Sequence, residues 1–169
     1  YGVTKAAGEM LARLYAGVHG VPPVSLRYFT VYGPRQRPDM GFHRFFRAVL
    51  TGQPVTIYGD GKQTRDFTFV RDVTEANLLA AERGEPGGVY NVSGGSRVSV
   101  GEVIRKIEEI TGQSARLEFR EKQSGDPLHT GGDGGRARDV LGFSPRVELG
   151  EGLAEMAAWM RRYLEGAPE

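Results

Sequence analysis

Tyr1 and Lys5 stand four residues apart at the start of a segment with helical periodicity, so their side chains share one face. A free tyrosine titrates at about pH 10, too high for a base at neutral pH. A neighbouring ammonium favours the phenolate, and a tyrosine tuned in this way can exchange a proton with a hydroxyl, acid–base work worth about 10²–10⁴ in rate. The same spacing also describes an ordinary exposed helix start, and the pair alone does not choose between them. A second chemical stretch runs from Thr30 to Met40 and contains Arg35 and Arg37. It follows a strand-like run, and in open α/β sheets ligands collect beyond the carboxyl ends of strands. Two arginines there can clamp a diphosphate or a carboxylate bidentately, with a solvated basic loop as the alternative. Gly59-Asp60-Gly61-Lys62 fails as a phosphate loop: Thr56 stands where that template needs Gly and Gln63 where it needs Ser or Thr. Arg65-Asp66 reads either as a surface ion pair worth under about 1 kcal/mol or as an arginine offered to a phosphate.

The elements that must position these residues follow from periodicity and punctuation. Ala7, Met10, Leu11 and Leu14 mark a helix over about 2–18, ending near Gly17 and Gly20. Val24 to Phe29 reads as a buried strand. Phe42, Phe45, Phe46, Val49 and Leu50 form a helical stripe closed by Gly52 and Pro54. Val55–Tyr58 and Phe67–Val70 are strand-like, and Asp72 with Glu75 predicts a capped helix to about Glu82. Gly88–Val92 is a short strand, and Ser99 with Glu102 caps a helix carrying Val100, Val103, Ile104, Ile107 and Ile110. Ala115–Phe119 is a strand, Glu121–Gly135 a loop, and a last amphipathic helix from about Glu151 carries Leu153, Met156, Met160 and Leu164. Strands alternating with helices predict an α/β protein.

Composition narrows the chemistry. The 169 residues hold 22 Lys+Arg against 21 Asp+Glu, so no strong field points to nucleic acid or a membrane surface. The absence of Cys excludes disulfides, a thiol nucleophile and thiolate zinc sites, and the three histidines lack helix-borne metal spacing, so no metal site is expected. No apolar run approaches the roughly 20 residues of a membrane span. A soluble, cytoplasmic protein is the expectation.

In order along the chain, Tyr1-Gly2-Val3-Thr4-Lys5, the run Leu26 to Arg35, the run Val55 to Gly61 with Gln63, Arg65-Asp66-Phe67 and Val70-Arg71-Asp72-Val73 form a recognisable series. Tyr90-Asn91-Val92, the Ser99 helix, Gly125-Asp126, and Arg136-Ala137 before Leu141-Gly142-Phe143 complete it. The series resembles the extended short-chain dehydrogenase/reductase family, in its NAD-dependent nucleotide-sugar epimerase/dehydratase branch, over essentially the whole chain. The resemblance implies the C-terminal half of such an enzyme, beginning at the catalytic tyrosine. The implied fold is the C-terminal part of a dinucleotide-binding parallel sheet plus a small α/β substrate domain. Residues 1–36 would be the remnant of the NAD-binding domain, and 37–169 mainly the nucleotide-sugar domain, with some segments returning to the sheet.

The resemblance also implies roles. Tyr1 would be the acid/base at the sugar C4 hydroxyl, and Lys5 would support it and bind the nicotinamide ribose. Tyr28 and Phe29 would lie beside the nicotinamide of NAD. Thr30 would approach the sugar and phosphates, Arg65 the diphosphate, Tyr58 the base and Asp126 its ribose. Thr30, where many relatives carry Asn, and the Arg37-Pro38-Asp39-Met40 run look more like UDP-glucuronate 4-epimerases, with Arg37 on the sugar carboxylate; Gln123, at a position where UDP-glucose 4-epimerases often place Arg, leans the same way. Arg35-Gln36 instead occurs in UDP-glucose 4-epimerase-like proteins. Gly131–Gly135 is glycine-richer than the family's usual Ala-Asp-x-Ser/Thr. The family's Gly-x-x-Gly-x-x-Gly turn, ribose-binding acid and catalytic Ser/Thr have no counterpart in this sequence, so the 169 residues alone are expected to bind NAD poorly and turn nothing over. The expected ligand is a UDP-sugar and the expected assembly a homodimer of the full-length protein. A non-catalytic nucleotide-sugar-binding module, a dTDP-sugar 4,6-dehydratase and a UDP-glucuronate decarboxylase are the alternatives.

Overall fold

The computed structural model describes residues 1–95, 97–122, 125 and 127–166. Helix α1 (Gly2–His19) leads to β1 (Ser25–Tyr28) and β2 (Thr30–Tyr32), then α2 (Gly41–Thr51), β3 (Pro54–Tyr58) and β4 (Thr64–Phe69). There follow α3 (Val70–Arg83), β5 (Val89–Val92), β6 (Arg97–Ser99), α4 (Val100–Thr111) and β7 (Arg116–Arg120). A short π-helical turn (Ala137–Leu141) precedes α5 (Leu149–Leu164). Among the described residues no helix is long and apolar enough to cross a membrane.

Among the described residues the strands form three small sheets. β1 pairs with β5 in parallel, β3 with β7 in parallel, and β4 lies between parallel β2 and antiparallel β6. The single run expected over Val24–Phe29 is therefore broken: Phe29 is in neither strand, and the chain changes partner there, from β5 to β4. The strand expected from Phe67 begins at Thr64 because its first three residues pair with β6, an element too short to declare itself by alternation.

Two cores hold these layers. The larger packs α2, α4 and α5 on β3 and β4, through Phe42, Phe46, Val55, Ile57, Phe69, Val103, Ile107, Leu153, Met156 and Met160. The smaller joins Ala76 and Ala80 of α3 to Tyr90, Val92, Leu141 and Phe143. The capping box at Ser99 and Glu102 is present, each side chain bonded to the other residue's backbone N–H. The expected box at Asp72 and Glu75 is not: α3 starts two residues earlier, at Val70, with Phe69 before it. Asp72 is buried and accepts the backbone N–H groups of Arg146 and Val147, both at 3.2 Å, so it pins the segment leading to α5. Helix α1 forms as expected, but it buries no residue and leaves Met10, Leu11 and Leu14 exposed.

Candidate functional site

Helix α1 begins with Lys5 N–H bonding Tyr1 O at 3.1 Å, which fixes the two side chains one turn apart on one face. The Lys5 ammonium lies 5.3 Å from the centre of the Tyr1 ring, and Tyr1 is 94% exposed. Together with Gly8, Glu9 and residues 25–28 of β1 they line an open cleft of about 480 Å³. Its wall is fixed by Arg27, whose guanidinium bonds both Glu9 carboxylate oxygens at 2.7 Å and holds that carboxyl below its usual range. Tyr28, half-exposed at the carboxyl end of β1, donates its hydroxyl to Asn77 Oδ1 at 2.8 Å. Three of the expected residues, Tyr1, Lys5 and Tyr28, are thus brought together.

Phe29 and Thr30 sit where the chain leaves β1 for β2. A change of strand partner opens a crevice at the carboxyl ends of strands, the usual ligand position in such sheets. The Phe29 ring packs so tightly over Gly132 that a Cβ on Gly132 would lie 2.3 Å from a ring carbon. Arg97 covers Gly131 in the same way, at 2.2 Å from such a Cβ. The glycine-rich stretch is therefore a bed for two large side chains, and Asn91 and Ser93 bond its backbone. Thr30 opens β2 opposite Phe67 of β4.

A second cleft, of about 180 Å³, contains Tyr58. Its other walls come from Gly41, Arg44 and Phe45 of α2, from β3, from Gln63 and from Val100 at the start of α4. Gln63 braces it by donating to Tyr58 O at 2.9 Å while its own carbonyl receives Val100 N–H at 3.2 Å. The two clefts share no lining residue. Arg44, Gln63 and Val100 were not singled out from sequence as ligand-facing; they come from α2, the β3–β4 connection and α4, and only tertiary packing unites them.

Arg37 lies on the exposed β2–α2 loop, with Nη2 at 3.0 Å from Asp39 Oδ2. Arg65 donates to the carbonyls of Thr64 and Leu128, at 2.9 and 3.4 Å. Asp66 corrects the surface ion-pair reading, being only 3% exposed with Oδ1 accepting Gly94 N–H at 2.6 Å. Burial pushes its carboxyl up, and backbone N–H groups led by Gly94 oppose that. Asp126 and Gln123 lie outside the described residues.

Residues 1–93 match the NAD dependent epimerase/dehydratase family, to which the chain belongs. The uncharacterized UDP-glucose epimerase YtcB of Bacillus subtilis (strain 168) is 43% identical over 98% of this chain and 53% of its own length. The crystal structure of UDP-glucuronic acid 4-epimerase from Bacillus cereus with UDP-glucuronic acid and NAD superposes with a TM-score of 0.91 at 42% identity, over 96% of this chain and 52% of that one. MoeE5, solved with UDP-glucose and NAD, gives a TM-score of 0.91 at 47% identity, over 97% of this chain and 56% of that one. The chain spans about half the length of the curated relatives it matches. The fold is thus a mixed α/β one with parallel strand pairs, matching that of NAD-dependent UDP-sugar epimerases.

Proposed function

We propose that this chain carries the acid–base tyrosine and the nucleotide-sugar site of an NAD-dependent UDP-sugar 4-epimerase working through a 4-keto intermediate. The supporting observation is the Tyr1–Lys5 pair opening onto one cleft with the end of β1, beside the point where the chain changes strand partner. In this reading residues 1–36 close the cofactor-binding unit, and residues 37–169 mainly hold the nucleotide-sugar, with β5 returning beside β1. The full-length protein pairs as a homodimer through α1.

The first cleft fits the nicotinamide end of NAD, with an exposed phenol, an ammonium and the half-exposed Tyr28 ring along one wall. Lys5 would hold the cofactor ribose, and Tyr28 and Phe29 would flank the ring. The sequence has no Gly-x-x-Gly-x-x-Gly run for the pyrophosphate. The chemistry a bound nicotinamide supplies is reversible acceptance of the sugar C4 hydride. Tyr1 Oη takes the C4 hydroxyl proton and later returns it, while the Lys5 charge stands where negative charge develops.

Inversion at C4 requires the keto sugar to turn over while its nucleotide stays bound. Two clefts without a common residue suit that need, one for the reacting carbon and one, at Tyr58, for the base. Thr30 and Arg65 would take the phosphates and Asp126 the ribose. The Arg37 loop favours an acidic sugar, UDP-glucuronate, since a guanidinium pairs bidentately with a carboxylate. Proton NMR of the full-length protein with NAD and either UDP-glucuronate or UDP-glucose tests the reading, the 169 residues alone being expected to turn nothing over. C4 epimers are expected; CO₂ release would indicate a decarboxylase, a 4-keto-6-deoxy product a dehydratase, and UDP-sugar binding without turnover a non-catalytic module.

A further inference from the structure

The backbone between β2 and α2 is fixed at several points. Gly33 has φ 143° and packs against α3 so closely that a Cβ there would stand 2.6 Å from a Val70 methyl. Gln36 N–H bonds Gly33 O at 3.3 Å, closing one turn, and Met40 N–H bonds Arg37 O at 3.0 Å, closing a second. The side chain of Gln36 joins what lies on either side. Its Nε2 donates to Val31 O in β2 at 2.8 Å, and its Oε1 accepts His43 N–H in the first turn of α2 at 2.9 Å.

The second bond fills a vacancy that the sequence leaves. Met40 precedes α2 and offers no capping side chain, so the first amides of that helix need an acceptor from elsewhere. Gln36 supplies it from seven residues upstream. One amide therefore ties the strand that carries Thr30, the loop and the helix that carries Arg44. The next residue in the chain is Arg37, whose own side chain is exposed. A long exposed side chain is directed mainly by where its backbone is held, and here it is held by Gln36 on one side and by the Arg37–Met40 turn on the other.

We propose that Gln36 is a positioning residue for sugar selection: it touches no ligand, but sets the Arg37 turn at the register in which the guanidinium meets a C6 carboxylate. This rests on the reading of Arg37 as the carboxylate partner. Gln36→Met keeps the side-chain length and removes both bonds, and Gln36→Glu keeps the acceptor for His43 while losing the donor to Val31.

The test compares the wild-type protein with Gln36→Met, Gln36→Glu, Arg37→Ala and the Met/Ala double variant. Affinity for UDP-glucuronate and for UDP-glucose is measured by calorimetry, and amide exchange at His43 by NMR. Gln36→Met should speed exchange at His43 and weaken UDP-glucuronate about fivefold, roughly one net hydrogen bond, while UDP-glucose changes by less than about twofold. Gln36→Glu should fall between it and wild type. Added to Arg37→Ala, Gln36→Met should shift the preference no further, because its effect passes through that arginine. Equal losses on both sugars, an unchanged preference despite fast His43 exchange, or additivity in the double variant would overturn the proposal. If Arg37→Ala itself leaves the preference unchanged, or wild type binds neither sugar, the underlying reading of the site fails first. If Arg37→Ala shifts the preference and Gln36→Met does not, only the positioning role fails.

Discussion

Among the described residues other than glycine, Arg35 alone has a positive φ, 64°, at the third position of the Gly33–Gln36 turn. An L-residue there costs about 1–2 kcal/mol, which glycine avoids. Strain of this kind persists where the surroundings over-determine the backbone, and here the Gly33 contact and the Gln36 bonds do so. Arg35→Gly is therefore predicted to stabilise the fold by about 1 kcal/mol net of glycine's greater unfolded-state entropy, raising the melting temperature by about 2–4 °C in calorimetry. A lower melting temperature would mean that the arginine side chain stabilises more than its backbone costs. The residue scale was also where sequence was most informative about the site. Tyr1 and Lys5 lie one turn apart because i,i+4 spacing on a helix is a local property. The burial of Asp66, which removes the surface ion-pair alternative, was not legible because nothing in an Arg-Asp pair says that its carboxylate will be enclosed by the Gly94 turn.

At the scale of elements, α2 meets α5 around a histidine that sequence placed nowhere. His43 is 1% exposed, packs edge-on to Trp159 and Tyr163, and neither ring nitrogen has a hydrogen-bond partner. Burial, assisted by the nearby Arg47 charge, lowers its pKa from 6.5, so the folded protein holds it neutral. The unfolded chain binds a proton at a higher pH than the folded one. The associated stability is complete above about pH 6.5 and is lost as pH falls below that, by about 1.4 kcal/mol per unit until the folded ring itself titrates. Chemical denaturation between pH 7 and pH 5 should show a steeper loss in wild type than in His43→Leu; parallel curves would mean the ring is protonated inside the fold. The helices α2 and α4 were legible because their apolar stripes and the Ser99–Glu102 box are local signals. The cap on α2 was not, because the acceptor of its His43 N–H is Gln36, outside the helix. Nor was β6, whose three residues are ordered only by pairing with β4 across the fold.

At the scale of the molecule, α1 faces inward with small or polar side chains and outward with large ones. Ala12 and Ala16 are partly covered, whereas Val3, Met10, Leu14 and Val18 form an exposed stripe at seven- and four-residue spacing. Such a stripe is a surface that association would cover. Sedimentation of the protein should show concentration-dependent dimers that Leu14→Glu weakens; a monomer at every concentration would remove α1 from the interface. The apolar periodicity of residues 7–14 predicts the helix but not its environment, since periodicity reports that a face is apolar and not which partner covers it. The family fold, by contrast, was legible from the order of short motifs and matches structures that bind UDP-sugars and NAD. The central claim is that Tyr1 performs the proton transfer while the nucleotide is held elsewhere, and the most direct measurement is C4-epimer formation by wild-type and Tyr1→Phe full-length protein, followed by NMR alongside UDP-sugar affinity. The account predicts a rate at least about 10²-fold lower in the variant with affinity within about twofold; a variant that epimerises at the wild-type rate would contradict it.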